Sequence, residues 1–446
     1  MSKTTRRQFL KASSLAACGL LAGTGRRLSS GYALNEKLQL AVIGIAGRGA
    51  GNLGALAGLD ESIVALCDVD QRHLGRVGEE FPKARRYQDF RRVLDDGDID
   101  AVVVSTPDHT HAIITLSALR AGKHVYCEKP LAHTAEEVLT VQRVAREAKR
   151  ATQMGTQIHA EANYRRVVEL VQSGAIGAVR EAHCWVGKNW GGGERPKETP
   201  PVPEYLDYDL WLGPAPGRPY HPIYLPGNWR RWWDFGGGTL ADMGCHYLDL
   251  PFWALELGEP ATIAARGSTP HPETASEWLI AEWEFPARGK SPPCKLVWYD
   301  SGKRPELPEA HDNPEVRAEI ERWGNGVLFV GERGLLLADY GKHRLLPAAS
   351  FEGFQAPDPH IPDSIGHHKE WIQACKGQGA TLCNFDYSGT LSLAVILGNV
   401  AYRSGERLEW DSVRHRLKSP NEATRFLSTP ARPGWELSAP RQLQRR

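Results

Sequence analysis

The chain has eight cysteines but no Cys-x-x-Cys pair. They stand apart at positions 18, 67, 127, 184, 245, 294, 375 and 383, so neither a zinc ribbon nor a dense disulfide scaffold is indicated. Net charge is nearly absent as well: 54 basic residues face 53 acidic ones, leaving +1. That balance gives no electrostatic reason to expect nucleic acid or an anionic membrane as partner. Tryptophan is missing from the whole first part of the chain, since all 14 lie at or beyond Trp185. The two halves are therefore built from different material. With 446 residues, 41% of them hydrophobic, the chain is too long for one compact core and reads as a soluble two-domain protein.

The first residues read as an address. Thr5-Arg6-Arg7-Gln8-Phe9-Leu10-Lys11 precedes a modest apolar run, Ala12 to Gly23, and resembles a twin-arginine export signal. Glycine and serine interrupt that run, and it is too short for a transmembrane helix. Cleavage is expected near Ala33, giving a signal over 1–33 and an exported, periplasmic protein with no membrane insertion after processing. Leu15-Ala16-Ala17-Cys18 is a weak lipobox look-alike, and lipid anchoring at Cys18 is not expected.

From Leu38 the pattern becomes strand, glycine loop, helix. LQLAVIGI is a continuous apolar run of the kind buried in a parallel sheet, and it enters Gly44-Ile45-Ala46-Gly47-Arg48-Gly49. Glycines there let the backbone approach a pyrophosphate at a helix N-terminus, although Ala46 replaces the middle glycine of the usual fingerprint. SIVALCD is a second buried strand, and Asp68 stands at its end about 20 residues after the turn. A carboxylate there accepts from ribose hydroxyls and favours NAD, while Arg72 nearby leaves NADP open. The alternation continues through AVVVST, HVYCEKP and TQMGTQ, with Thr134 to Glu137 shaped as a capping box. It predicts a doubly wound parallel Rossmann sheet over 36–158, with ligands at the carboxyl ends of its strands. Thr106, Pro107, His109, His111, Glu128 and Lys129 fall at those ends and are expected to line the cofactor. No further ligand shares a metal-binding spacing with the two histidines, so no metal is expected.

Beyond residue 158 the character changes. A helix is expected over Tyr164–Ser173, then strands at VREAHCWVG, EWLIAEWEF, CKLVWYD and GVLFV–GLLLA. Late helices around His367–Cys375 and Tyr387–Tyr402 are expected to pack on that sheet. This predicts a C-terminal α+β domain over 159–440 with a large, mainly antiparallel open sheet, followed by a disordered tail. A long loop from Gly187 to Gly238 is rich in proline, glycine and tryptophan. Its Trp229, Trp232 and Trp233, with Arg230 and Arg231 between, suit a sugar's apolar faces and polar rims, or equally the packing of a core. The stretch that follows, GGGTLADMGCHYLD, places Asp242 and His246 four apart. A helix starting near Thr239 would stack them on one face, where a carboxylate would favour the protonated ring. An ordinary capped helix fits the same spacing.

Taken together, the glycine turn, Asp68, STPDHTH, CEKP and GGGTLADMGCH resemble the glucose-fructose oxidoreductase / inositol dehydrogenase / rhizopine-catabolism (Gfo/Idh/MocA) family, from about Leu38 to Trp410-Asp411. The resemblance implies NAD(P)-dependent oxidation or reduction of a sugar or polyol, and a homo-oligomer (dimer or tetramer) built through the second sheet. It implies that His246 takes the hydroxyl proton, Asp242 orients it and Lys129 steadies the oxygen. His159, Asn228, Arg230 and Trp233 become the candidate substrate contacts. Export in a folded state suggests a tightly retained cofactor, because none is available for exchange outside the membrane. Two other readings remain on the same residues: a redox-neutral glycosidase or lyase working through transient oxidation, and a non-catalytic sugar-binding protein.

Overall fold

In the computed structural model, residues 37–437 are described, apart from 308, 312, 420 and 421. The twin-arginine stretch, Ala33, Cys18 and the tail after Pro440 lie outside the described residues.

Six strands form the first sheet: β1 (Gln39–Ile43), β2 (Ser62–Cys67), β3 (Arg85–Tyr87), β4 (Ala101–Val104), β5 (His124–Cys127) and β6 (Thr152–Met154). Their order is β3-β2-β1-β4-β5-β6 and every pairing is parallel. Leu40 to Ile43 run in register with Ala101 to Val104, and these apolar residues are almost wholly buried. That is why they read as unbroken apolar runs rather than alternating ones. β3 escaped the sequence reading because Arg85-Arg86-Tyr87 is short, polar and at the sheet edge. Order reverses between β1 and β4, and an open sheet of this kind binds ligands at such a switch point. The capping box formed as expected: Thr134 Oγ1 accepts from the Glu137 amide, and Glu137 Oε2 accepts from the Thr134 amide at 2.9 Å.

The second sheet has nine strands: β7 (Val179–Trp185), β8 (Thr262–Gly267), β9 (Leu279–Phe285), β10 (Cys294–Tyr299), β11 (Gly326–Gly331), β12 (Gly334–Ala338), β13 (His343–Leu346), β14 (Leu408–Asp411) and β15 (Arg416–Leu417). Their order is β13-β12-β11-β7-β10-β9-β8-β14-β15. Only β7 and β10 pair in parallel; the other pairings are antiparallel. Both sheets belong to one compact unit that begins at Lys37.

The helix Phe385–Ser404 joins them. Apolar and buried almost all round, it packs against the helix Ala135–Ala148 on one side and against β8 and β9 on the other. The expected packing of the helix His367–Cys375 is corrected. It lies on the first sheet's side, with His368 stacked on Tyr126 of β5 and Gln153 of β6 donating to the His367 carbonyl. Its buried face carries His367 and Trp371, aromatic groups that meet Tyr126 rather than the apolar second sheet.

Candidate functional site

One cavity of about 970 Å³ opens along the carboxyl ends of the first sheet. At one end lie Gly44, Ala46, Gly47, Arg48, Asp68 and Arg72; at the other lie Lys129, Asp242 and His246. Thr106, Pro107, His111 and Glu128 line the stretch between.

The glycine turn fits a dinucleotide. The helix Arg48–Ala57 starts at Gly47 with no side-chain cap; the Gly49 amide donates to the Ala46 carbonyl at 2.9 Å, and no capping side chain competes with an anion for the amide of Arg48. Gly47 has φ +53°, and a Cβ there would meet no protein atom within 4 Å, so the backbone faces open cavity. The left-handed demand falls on Gly44 and Gly47, and that is why alanine is tolerated at position 46. Gly49 does not line the cavity. A Cβ on it would sit 1.8 Å from the Gly44 carbonyl oxygen, so its role is close helix–strand packing. Asp68 accepts from the Ile45 amide at 3.1 Å and the Asp70 amide at 3.0 Å, tying the ribose end to the glycine turn. Arg72 is neutralised by Asp70 at 2.7 Å and covered by the Tyr205 ring at 3.4 Å. Two carboxylates against one paired arginine disfavour an added 2'-phosphate.

Helix Gly238–Tyr247 carries Asp242 and His246 to the other end of the cavity. Asp242 is buried and crowded by donors: Lys129 Nζ and Arg230 Nε both reach Oδ1 at 2.9 Å, while Trp190 Nε1 at 2.7 Å and Lys188 Nζ at 3.0 Å reach Oδ2. Lys129 also donates to the Asp242 carbonyl at 2.5 Å. Burial would raise the Asp242 carboxyl, yet Lys129 and Arg230 outweigh it and hold the group well below the usual carboxylate range. Burial likewise opposes the charge on Lys129, but Asp242 raises its pKa.

Asp242 does favour the protonated His246 ring, as expected, but it does not decide the outcome. The helix does stagger them four residues apart, but Asp242 spends both oxygens on other partners. Burial and the nearby Lys129 together push His246 down to about 3, with Asp242 only partly opposing them. His246 Nδ1 is buried without a hydrogen-bond partner among the described residues. Asp108, at the start of the helix Asp108–Arg120, is raised to about 7 by burial despite Lys129 nearby.

Several expected contacts lie elsewhere. His109 turns away from the cavity, its Nε2 2.9 Å from the Trp211 carbonyl and its Nδ1 3.3 Å from that of Phe235. His111 lines the cavity, with its ring nitrogens at the carbonyls of Pro130 (2.7 Å) and Thr106 (2.8 Å). Asn228 does not line the cavity, although its neighbours Gly227, Trp229 and Arg230 do. Trp233 is buried elsewhere, donating to the His271 carbonyl beneath Arg403, and Trp232 is core. His159 is an interior residue: Nδ1 is 3.0 Å from both Asp249 oxygens and the ring stacks on Trp253 at 3.9 Å. With Cys383 they bring three metal-capable atoms within 4.8 Å, but Asp249 already accepts from Tyr387 at 2.6 Å.

Lys188, Trp190, Tyr205, Tyr340 and Trp435 line or build the site without having been singled out. For Lys188 and Trp190 a signal existed, because GKNW follows the carboxyl end of β7 directly. Tyr205 and Trp435 close the far end. Tyr205 rides on Arg72, and its carbonyl accepts from the Gln71 amide at 2.9 Å. Trp435 packs beside Phe90, while neighbouring Arg432 binds the Gly213 carbonyl at 2.8 Å and Asp209 at 2.6 Å.

Sequence comparison matches residues 38–156 to the family described as "Oxidoreductase family, NAD-binding Rossmann fold" and 161–288 to its C-terminal alpha/beta domain. Inositol 2-dehydrogenase 3 of Saccharopolyspora erythraea is 39% identical over 123 residues, 27% of this chain and 36% of that protein. A glycosyl hydrolase family 109 protein of Shewanella pealeana is 28% identical over 202 residues, 39% of this chain and 44% of the other. The matches thus span about a third to a half of these relatives' lengths. Among solved structures, the WlbA dehydrogenase of Bordetella pertussis, in complex with NADH and UDP-GlcNAcA, superposes with a TM-score of 0.59 at 19% identity. That match covers 84% of this chain and 99% of the other, a likeness of fold. With the glycine turn, the 3-2-1-4-5-6 sheet and both family models in agreement, the chain belongs to the Gfo/Idh/MocA oxidoreductase family, with its NAD-binding Rossmann fold.

Proposed function

We propose that this protein is an NAD-dependent dehydrogenase acting on a hydroxyl group of a sugar, polyol or sugar derivative. The observation that carries this reading is the shared cavity: the Gly44–Gly47 turn opens at one end, and Lys129, Asp242 and His246 meet at the other. When bound, the nicotinamide supplies hydride acceptance and return. Lys129, pinned by Asp242, donates to the substrate oxygen and stabilises the negative charge that grows on it. His246 is neutral and takes the hydroxyl proton on Nε2, since Nδ1 faces the interior. General base help of this kind is typically worth about 10²–10⁴-fold. Asp242 acts through Lys129 rather than through His246. Gly44, Ala46, Gly47 and Asp68 hold the dinucleotide.

We infer further that the protein is exported through its twin-arginine stretch and keeps its cofactor from turnover to turnover. Tyr205 and Trp435, folded over the Asp68 end, support retention. A homo-oligomer through the second sheet belongs to the same proposal. The face carrying Arg266, Glu282, Lys295 and Glu181, an ion-paired row across four strands, is the surface offered.

The test is to purify the protein without added nucleotide, denature it, and assay the supernatant for NAD and NADP in both redox states. Near-stoichiometric NAD, with turnover of a sugar or polyol, is expected. A protein that arrives empty and binds neither nucleotide when offered would overturn the reading. The family 109 relative favours one alternative, a redox-neutral glycosidase, which would show as hydrolysis without net change in nicotinamide redox state.

A further inference from the structure

We propose that the substrate is a sugar acid whose carboxylate is received by Lys188 and Arg230. This names the substrate class of the dehydrogenase site and rests on that reading.

Three cations, Lys129, Lys188 and Arg230, converge on the single carboxylate of Asp242, all within 3.0 Å. One buried carboxylate needs no such number, and gathering like charges costs stability unless an anion completes the group. The other carboxylates on the cavity wall are engaged elsewhere. Asp68 and Asp70 serve the ribose end with Arg72 and His73. Glu128 accepts from Asn52 and Gln157 and faces Arg48 at 3.4 Å. Asp108 is the remaining neighbour, and burial, which favours its neutral form, keeps it from being a full counter-charge.

The three cations are not equivalent. Lys129 is 11% exposed and doubly held by Asp242, which fits it to the reacting oxygen. Lys188 and Arg230 are 43% and 25% exposed at the cavity wall, so each can take a second partner. Aromatic faces brace both: the Arg230 guanidinium lies 4.3 Å from the Trp229 ring centre, and Lys188 Nζ lies 4.9 Å from that of Trp190. A surplus of about two positive charges remains after Asp242. One answers the alkoxide developing at the reaction centre, and the other matches a monoanion. Arginine's planar fork suits a carboxylate in particular.

The experiment uses the full protein with its nucleotide bound. Titration of tryptophan fluorescence with D-glucuronate, D-galacturonate and D-gluconate is compared with D-glucose, D-galactose and D-glucitol at low salt, and hydride transfer is followed on the same panel. At least one acid is expected to bind about tenfold or more tightly than its neutral counterpart. Lys188→Gln should shrink that ratio at least about tenfold. Neutral sugars binding as tightly as the acids, no acid binding, or a ratio untouched by K188Q would overturn the proposal. Hydride transfer confined to neutral sugars would sink it while leaving the dehydrogenase reading intact. Tight acid binding with no hydride transfer from any compound would do the reverse.

Discussion

Lowering the pH from 7 to 5 should bring this protein to the edge of unfolding, because its fold buries so many neutral imidazoles. Burial is the largest cause at each: His109, His183 and His246 are pushed down to about 3, and His111, His124, His133 and His368 to about 4. His367 is held well below the ordinary imidazole value. In the unfolded chain each takes a proton near pH 6.5. Their stabilisation is therefore complete above 6.5 and is lost as the pH falls toward 3–4. Three carboxyls work the other way: burial raises Asp108, Glu137 and Asp300 to about 7, so the folded state already holds their protons at pH 5. Eight imidazoles less three carboxyls leave an uptake of about five protons on unfolding at pH 5. The slope there is about 7 kcal/mol per pH unit, and about 8 kcal/mol is lost between pH 7 and 5. Against a total stability of about 5–15 kcal/mol, that loss puts the acid midpoint between about pH 5.5 and about pH 4. Urea unfolding followed by tryptophan fluorescence from pH 7.5 to 5, at fixed nucleotide occupancy, measures the slope, and titration of unfolding measures the uptake. Stability that stays flat down to pH 4.5, or protons released on unfolding at pH 5, would refute the reasoning.

Two substitutions probe the cofactor end. Gly49→Ala drives a Cβ to 1.8 Å from the Gly44 carbonyl and should cost about 1–3 kcal/mol of stability while abolishing nucleotide binding, read by urea unfolding and by the nucleotide content of purified protein. Trp435→Ala removes the buried ring that packs beside Phe90 at the cavity's far end; bound nucleotide should leave at least about tenfold faster in a competition chase, and an unchanged release rate would deny Trp435 any part in retention.

Much of the fold could be read from residues alone, because buried parallel strands leave a local signature. Runs such as LQLAVI and AVVV are apolar on both faces, and the glycine turn and capping box are short-range devices that need no distant partner. What stayed hidden was set by distance. β3, β13 and β15 are short edge elements whose polar residues pair only because neighbours already stand there. His109 and Trp233 looked like ligand contacts because each sits near residues that line the cavity. Their rings point to carbonyls 126 and 38 residues away, and no spacing encodes those partners.

Asp242 and His246 show the same limit in electrostatic form. Their four-residue spacing was legible and the helix formed, yet a pair on one helix surface does not determine its own titration. Lys129 comes from the end of β5, Lys188 from the end of β7 and Arg230 from the tryptophan loop; together they claim the Asp242 oxygens before His246 can. The imidazole is thereby left desolvated on its Nδ1 side and beside cations, and its pKa falls instead of rising. A base held that low accepts a proton readily only when negative charge enters the cavity with it. The alkoxide forming beside Lys129 is one such charge, and a substrate carboxylate beside Lys188 and Arg230 would be a second. On the proposed reading, the proton, the reacting oxygen and the substrate's own charge would be coupled through a single buried aspartate. Its partners arrive from three separated segments of the chain.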